Sequence, residues 1–216
     1  MLAGLDDPVV AMSLAQADQP PKSVILFSGH MIDAPGRKTP RFPPEKERLA
    51  ADAIAGMLAE IAVTQGDLAI CGGACGGDLL FAEACLAQGM WLELYIPFDE
   101  PTFLANSVEF ANANWHERYF AAKSRATLHV MPDELGAPLS ADDNPYERNN
   151  SWMLESAARF GDDRITFICL WNGQGGDGLA ERNTSWKKRA ARPRGSTGSI
   201  RDNCGIEGSA TCRCVL

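Results

Sequence analysis

Leu68-Ala-Ile-Cys-Gly-Gly-Ala-Cys-Gly-Gly-Asp-Leu-Leu-Phe-Ala-Glu-Ala84 runs from a short apolar strand, through a loop with four glycines, into an apolar segment of helical spacing. Glycine has no β-carbon, so backbone N–H groups there can approach a phosphate closely. The helix that follows adds unpaired amides and the positive end of its dipole. Ligands of open α/β sheets sit outside the carboxyl ends of the strands, which is where this loop falls. The same glycines also suit tight strand-to-helix packing with no ligand. Neither common phosphate motif fits. A Walker loop needs Gly-Lys followed by Ser or Thr, whereas Gly76-Gly77 leads into Asp78. A GxGxxG fingerprint belongs after the first strand, and this loop follows the second.

On the N-terminal side, Ser23-Val-Ile-Leu-Phe-Ser-Gly29 is a continuous apolar run ended by glycine, the pattern of a strand buried on both faces. The loop from His30 to Pro44 carries Pro35, Pro40, Pro43 and Pro44, which forbid regular structure, and Arg37, Lys38 and Arg41. That basic loop is either a lid bringing positive charge to a bound phosphate or a solvated surface loop. Glu45 to Val63 places Leu49, Ala53, Ile54, Met57, Leu58 and Ile61 at helical spacing.

On the C-terminal side, Asp78 to Gln88 forms a helix closed by Gly89, and Trp91 to Ile96 a third strand stopped by Pro97. A helix is expected over Val108 to Lys123 and a fourth strand over Thr127 to Met131. Asp143-Asn144-Pro145 then caps a helix reaching Phe160, and Arg164 to Trp171 is a fifth strand. Strands alternating with helices at these distances predict an α/β fold. The expected architecture is a three-layer Rossmann-like parallel sheet of about five strands with helices on both faces and an irregular C-terminal tail.

Three stretches result: a leader over 1–22 expected to be mobile, the domain over 23–178, and a basic tail over 179–216 expected to be disordered. The charge supports the last division. Up to Ala180 there are 12 Lys and Arg against 25 Asp and Glu, and from Glu181 onward 8 against 3. A change of reading frame near Gly178 accounts for such a break, and translating the coding nucleotides in the other frames tests it. The net charge of −8 argues against non-specific attraction to nucleic acid or anionic membrane. No apolar run is long enough to cross a bilayer, and the seven cysteines lie largely in core segments, so a cytoplasmic protein with reduced thiols is expected.

Phe27-Ser28-Gly29-His30, Cys71-Gly-Gly-Ala-Cys-Gly-Gly-Asp78 and Tyr95-Ile-Pro-Phe98, after the first three strands, resemble the SLOG superfamily. This Rossmann-like group includes the Lonely Guy and lysine-decarboxylase-like proteins, the DNA-processing protein A and nucleotide-sensor domains. The likeness spans about 23–178 and is nearest to the sensor type. It implies a nucleotide pocket with Ser28, Gly29 and His30 on one side and Gly72, Gly73, Ala74, Gly76, Gly77 and Asp78 on the other, with Pro97 after the third strand. The phosphoribohydrolase members carry PGGxGTxxE with a catalytic glutamate. Here Gly175-Gly176-Asp177-Gly178 stands where that segment would begin, with no Thr and Glu in step.

The residues therefore point to a module that binds a nucleotide or nucleotide-derived small molecule, as a sensor. One alternative is a hydrolase cleaving an N-glycosidic bond, with His30, Asp78 or Glu83 as acid, base or charge stabiliser. The other is a structural or assembly domain. Asp78 caps its helix, accepts ribose hydroxyls, or does both; Glu83 is either catalytic or a surface carboxylate. Cys71 and Cys75 form CxxxC, not CxxC, and the three histidines lack metal-ligand spacing, so neither cofactor nor metal is implied. A homo-oligomer is compatible with the sequence.

Overall fold

The computed structural model describes residues 20–111, 113–132, 144–170 and 211–215. Six strands form one sheet in which every pairing is parallel: β1 (Val24–Gly29), β2 (Leu68–Cys71), β3 (Trp91–Ile96), β4 (Thr127–Val130), β5 (Ile165–Leu170) and β6 (Thr211–Val215), in the order β4-β3-β2-β1-β5-β6. The first five strands are those expected. Helices follow as α1 (Glu47–Glu60), entered through a 3-10 turn at Pro44–Lys46, then α2 (Gly77–Ala87), α3 (Glu100–Ser107), α4 (Ala113–Lys123) and α5 (Pro145–Ala158).

Alternation along the strands sends side chains to two cores. On one face Ile25, Phe27, Ala69, Cys71, Leu92, Leu94 and Ile96 pack with residues of α1, α2 and α4; on the other Val24, Leu26, Leu68, Ile70 and Tyr95 pack with Met153 and Ala157 of α5. Helices on both faces make three layers, and the strands carry apolar residues at successive positions because both faces are covered. Phe27 stacks on Phe81 at 4.7 Å inside the first core, both rings fully buried. Truncating either to Ala would cost about 3–5 kcal/mol.

Three differences from expectation have physical causes. The helix expected over Val108 to Lys123 begins only at Ala113, and an unexpected helix, α3, precedes it, started by the Asp99 carboxylate accepting from the Thr102 amide and by Pro101 in the first turn, where its missing N–H costs nothing. The tail is not irregular throughout, since Thr211–Val215 pairs in parallel with β5, taking up backbone groups that β5 would otherwise present as a sheet edge. The rest of the tail, from 179 to 210, lies outside the described residues, as do 1–19 of the leader. The leader's end is tied down: the Lys22 amide donates to the Gly66 carbonyl and Arg164 Nη1 donates to the Pro21 carbonyl.

The loop between β1 and α1 is tied across its width at Asp33. Buried Asp33 accepts from the amides of Arg41 and Phe42 at 2.8 and 3.0 Å, and its own amide donates to the Phe42 carbonyl. Phe42 and Ile32 are buried beneath it.

Candidate functional site

The strand order reverses between β1 and β5, so the crevice that open α/β sheets use for ligands lies at the carboxyl ends of these two strands. Ser28 and Gly29 end β1 there, and the His30 amide donates to the Leu170 carbonyl at the end of β5. Helix α2 starts over the same point. A β-carbon on Gly77 would lie 3.3 Å from the Gly29 α-carbon and 3.2 Å from Leu170 Cδ2, so any larger residue would push these neighbours apart by a few tenths of an ångström. Gly76 is held by an antiparallel bridge to Met31; its φ is +97°, and a β-carbon would fall 2.5 Å from the Ile32 amide nitrogen. Gly76 and Gly77 thus serve close backbone packing against the segment after β1.

The loop amides do converge on an anion, and it belongs to the protein. The Ala74 amide donates to Asp78 Oδ2 at 3.3 Å, and the amides of Gly72 and Gly29 also face this carboxylate. Other loop amides go to protein acceptors: Cys75 N–H to the Ser107 carbonyl, Gly77 N–H to the His30 carbonyl, and Gly73 N–H to the Cys71 sulfur. Asp78 is 9% exposed. Burial pushes its carboxyl from 3.8 up to about 7, against the three amides, which favour the charged form. The expected capping role of Asp78 is not met: the N-cap of α2 is Gly76, with no side-chain cap hydrogen bond, and the Asp78 carboxylate folds back to the Ala74 amide of the preceding loop.

Asn149 of α5, which sequence reasoning passed over, reaches the same rim from the opposite layer. Its Nδ2 donates to the Tyr95 carbonyl on β3 at 2.7 Å, and Nδ2 is 3.8 Å from where a Gly72 β-carbon would be; Asp78 Oδ2 is 2.7 Å from that point. Asn149 is 4% exposed, and its Oδ1 has no hydrogen-bond partner among the described residues. Ser107 Oγ and Tyr146 Oη share a 3.0 Å hydrogen bond, and Phe98 meets the Tyr146 ring edge-on just beyond buried Pro97. The available sequence signal was an asparagine inside a helix already capped by Asn144, since mid-helix asparagine has little intrinsic reason to be there.

Other candidates lie elsewhere. Glu83 is gripped by Arg118 through two contacts of 2.6 Å, while Arg118 Nη1 reaches Glu47 at 2.7 Å and the guanidinium lies 3.9 Å over the Trp115 ring. This network staples α1, α2 and α4 together. Arg37 is engaged within its own loop, 3.4 Å from Asp33 and donating to the Thr39 carbonyl. It lines a cleft of about 280 Å³ with Asp33, Glu47 and Trp115; the cleft meets the glycine loop through Ile32, whose amide donates to the Cys75 carbonyl. Gly175 and Gly176 lie outside the described residues.

No protein-family model matches this chain, and no curated protein matches it. Chemistry at the rim must therefore be read from its own residues. Burial raises the Cys71 thiol well above its usual range and takes Cys75 up to about 12, so neither is a nucleophile near neutral pH. Among the described residues, no group of three or more His, Cys, Asp or Glu side chains is arranged to hold a metal ion, and no helix is long and apolar enough to cross a membrane.

Proposed function

We propose that the protein binds a nucleotide or nucleotide-derived small molecule along the carboxyl rim of its sheet, as a member of the SLOG-like group that its motifs resemble. The observation that carries this reading is the position of Asp78: a buried carboxylate cradled by backbone amides of two adjacent strands' ends, next to the point where strand order reverses. Neighbouring strands are about 4.8 Å apart, so a ligand of nucleotide length lying across the ends of β5, β1 and β2 meets both the α2 start and Asp78. Burial of a carboxylate is costly, and a fold retains such a group where it has work beyond packing.

A hydrolase acting on an N-glycosidic bond is the second reading, favoured by one observation. A carboxyl brought up to about 7 is matched to proton transfer near neutral pH, as a general acid or base should be. Glu83 is spoken for by Arg118 and leaves this role to Asp78.

One experiment separates the readings. The full chain is melted with nucleoside monophosphates, diphosphates and NAD, and the same mixtures are assayed chromatographically for free base. Binding without turnover raises the melting temperature and releases no base, because a ligand bound to the native state stabilises it by mass action. Release of base, abolished in Asp78→Asn, establishes the hydrolase. A melting temperature that no nucleotide moves, with no base released, refutes both.

A further inference from the structure

We infer that Asp78 and Asn149 form a paired acceptor site for the vicinal hydroxyls of a ribose, so that the ligand is selected by its sugar and not by a phosphate in the glycine loop. This inference rests on the nucleotide reading and specifies which part of the ligand meets which residues.

The two side chains come from opposite layers, α2 and α5, and stand on the same side of Gly72. Each already has its other hydrogen-bonding capacity assigned. Asn149 gives its NH2 group to the Tyr95 carbonyl, which fixes the amide so that Oδ1 is the atom left over; that oxygen is buried without a partner among the described residues. A buried unsatisfied acceptor costs free energy, and such groups in a folded protein ask for an absent donor. Asp78 accepts from backbone amides, yet a carboxylate has room for about four hydrogen bonds. Two buried acceptors whose side chains both border Gly72 call for a ligand that donates. A phosphate offers only oxygens there, whereas a cis-diol offers two adjacent O–H donors.

Gly72 lets the Asp78 carboxylate approach the loop backbone, because any β-carbon would stand 2.7 Å from Asp78 Oδ2. The loop amides confirm the division of labour: those of Gly72, Ala74, Cys75 and Gly77 are engaged by protein acceptors, leaving phosphate recognition to other parts of the rim.

The test is calorimetric titration of the full chain with the ribonucleoside 5′-monophosphates, their 2′-deoxy and 2′,3′-dideoxy forms, and inorganic phosphate alone. Losing a hydroxyl leaves a buried acceptor unsatisfied and weakens binding by about tenfold. The expected result is a ribonucleotide that binds, a dideoxy form weaker by at least that factor, and no binding of phosphate alone. Asp78→Asn and Asn149→Leu should each shrink the difference between the ribose and dideoxy forms. Equal binding of the two forms overturns the inference while the nucleotide reading stands; binding of none of the nucleotides overturns both. The ligand series uses the unaltered protein, so it decides the matter even where a variant folds poorly.

Discussion

Raising the pH from about 5 to about 8 should destabilise this fold through Asp78 by about 2.5 kcal/mol, an effect that Asp78→Asn removes. The carboxyl titrates at 3.8 in its ordinary setting and at about 7 in the folded protein, because burial disfavours its charged form more than the amides of Ala74, Gly29 and Gly72 support it. Below the lower value both states hold the proton, and Asp78 contributes its full stability. Between the two, the native state retains a proton that the unfolded chain has released, so stability falls by up to about 1.4 kcal/mol for each pH unit. Above the upper value both states are ionised and the contribution is gone. The whole span of roughly three units corresponds to about 4 kcal/mol, of which the stated pH interval samples about 2.5. Urea unfolding of both proteins across this interval measures it, since every other titrating group is common to the two. The unaltered protein should lose stability relative to Asp78→Asn as pH rises. Parallel curves would refute the account of Asp78 as a buried, proton-holding carboxylate.

Gly76→Ala should cost at least about 2 kcal/mol in the same assay, because its φ of +97° and its 2.5 Å approach to the Ile32 nitrogen exclude a β-carbon. Gly56→Ala is the counterpart: it lies inside α1 with nothing within 4 Å of the added carbon, and should stabilise by about 0.5–1 kcal/mol. Arg118→Ala removes the staple to Glu83 and Glu47 and should cost about 1–2 kcal/mol, discounted for the partial exposure of both partners, while leaving nucleotide affinity unchanged. Mass spectrometry after brief alkylation of the native protein should find Cys71 and Cys85 unmodified, since burial holds both thiols well above their usual range.

The central strands were legible because both faces of the sheet are covered, which makes β2 an uninterrupted apolar run, β1 apolar from Val24 to Phe27, and β3 apolar but for Glu93. Asn144-Pro145 carried its own signal too, and the Asn144 carboxamide does accept from the Tyr146 amide. The start of α3 at Asp99 and Pro101 was passed over although its determinant is local. Strand β6 was hidden for a different reason: Thr-Cys-Arg-Cys-Val shows little apolar character, and its placement depends on the waiting edge of β5 more than on its own composition. The site divides in the same way. Glycine spacing exposed the loop and Asp78, but the partners of these groups are tens of residues away. Glu83 meets Arg118 across 35 positions, and Asn149 meets Tyr95 across 54. No spacing rule reaches that far, so the reversal of roles in which Asp78 itself occupies the amide cradle became visible only in three dimensions.

Nitrogen-edited NMR of the full chain, titrated with a ribonucleoside monophosphate, tests the rim most directly. The account predicts shifts concentrated at the amides of Gly29, Gly72, Ala74 and Asp78 and at the side-chain amide of Asn149. Shifts confined to the cleft at Arg37, Glu47 and Trp115, or no shifts at all, would contradict it.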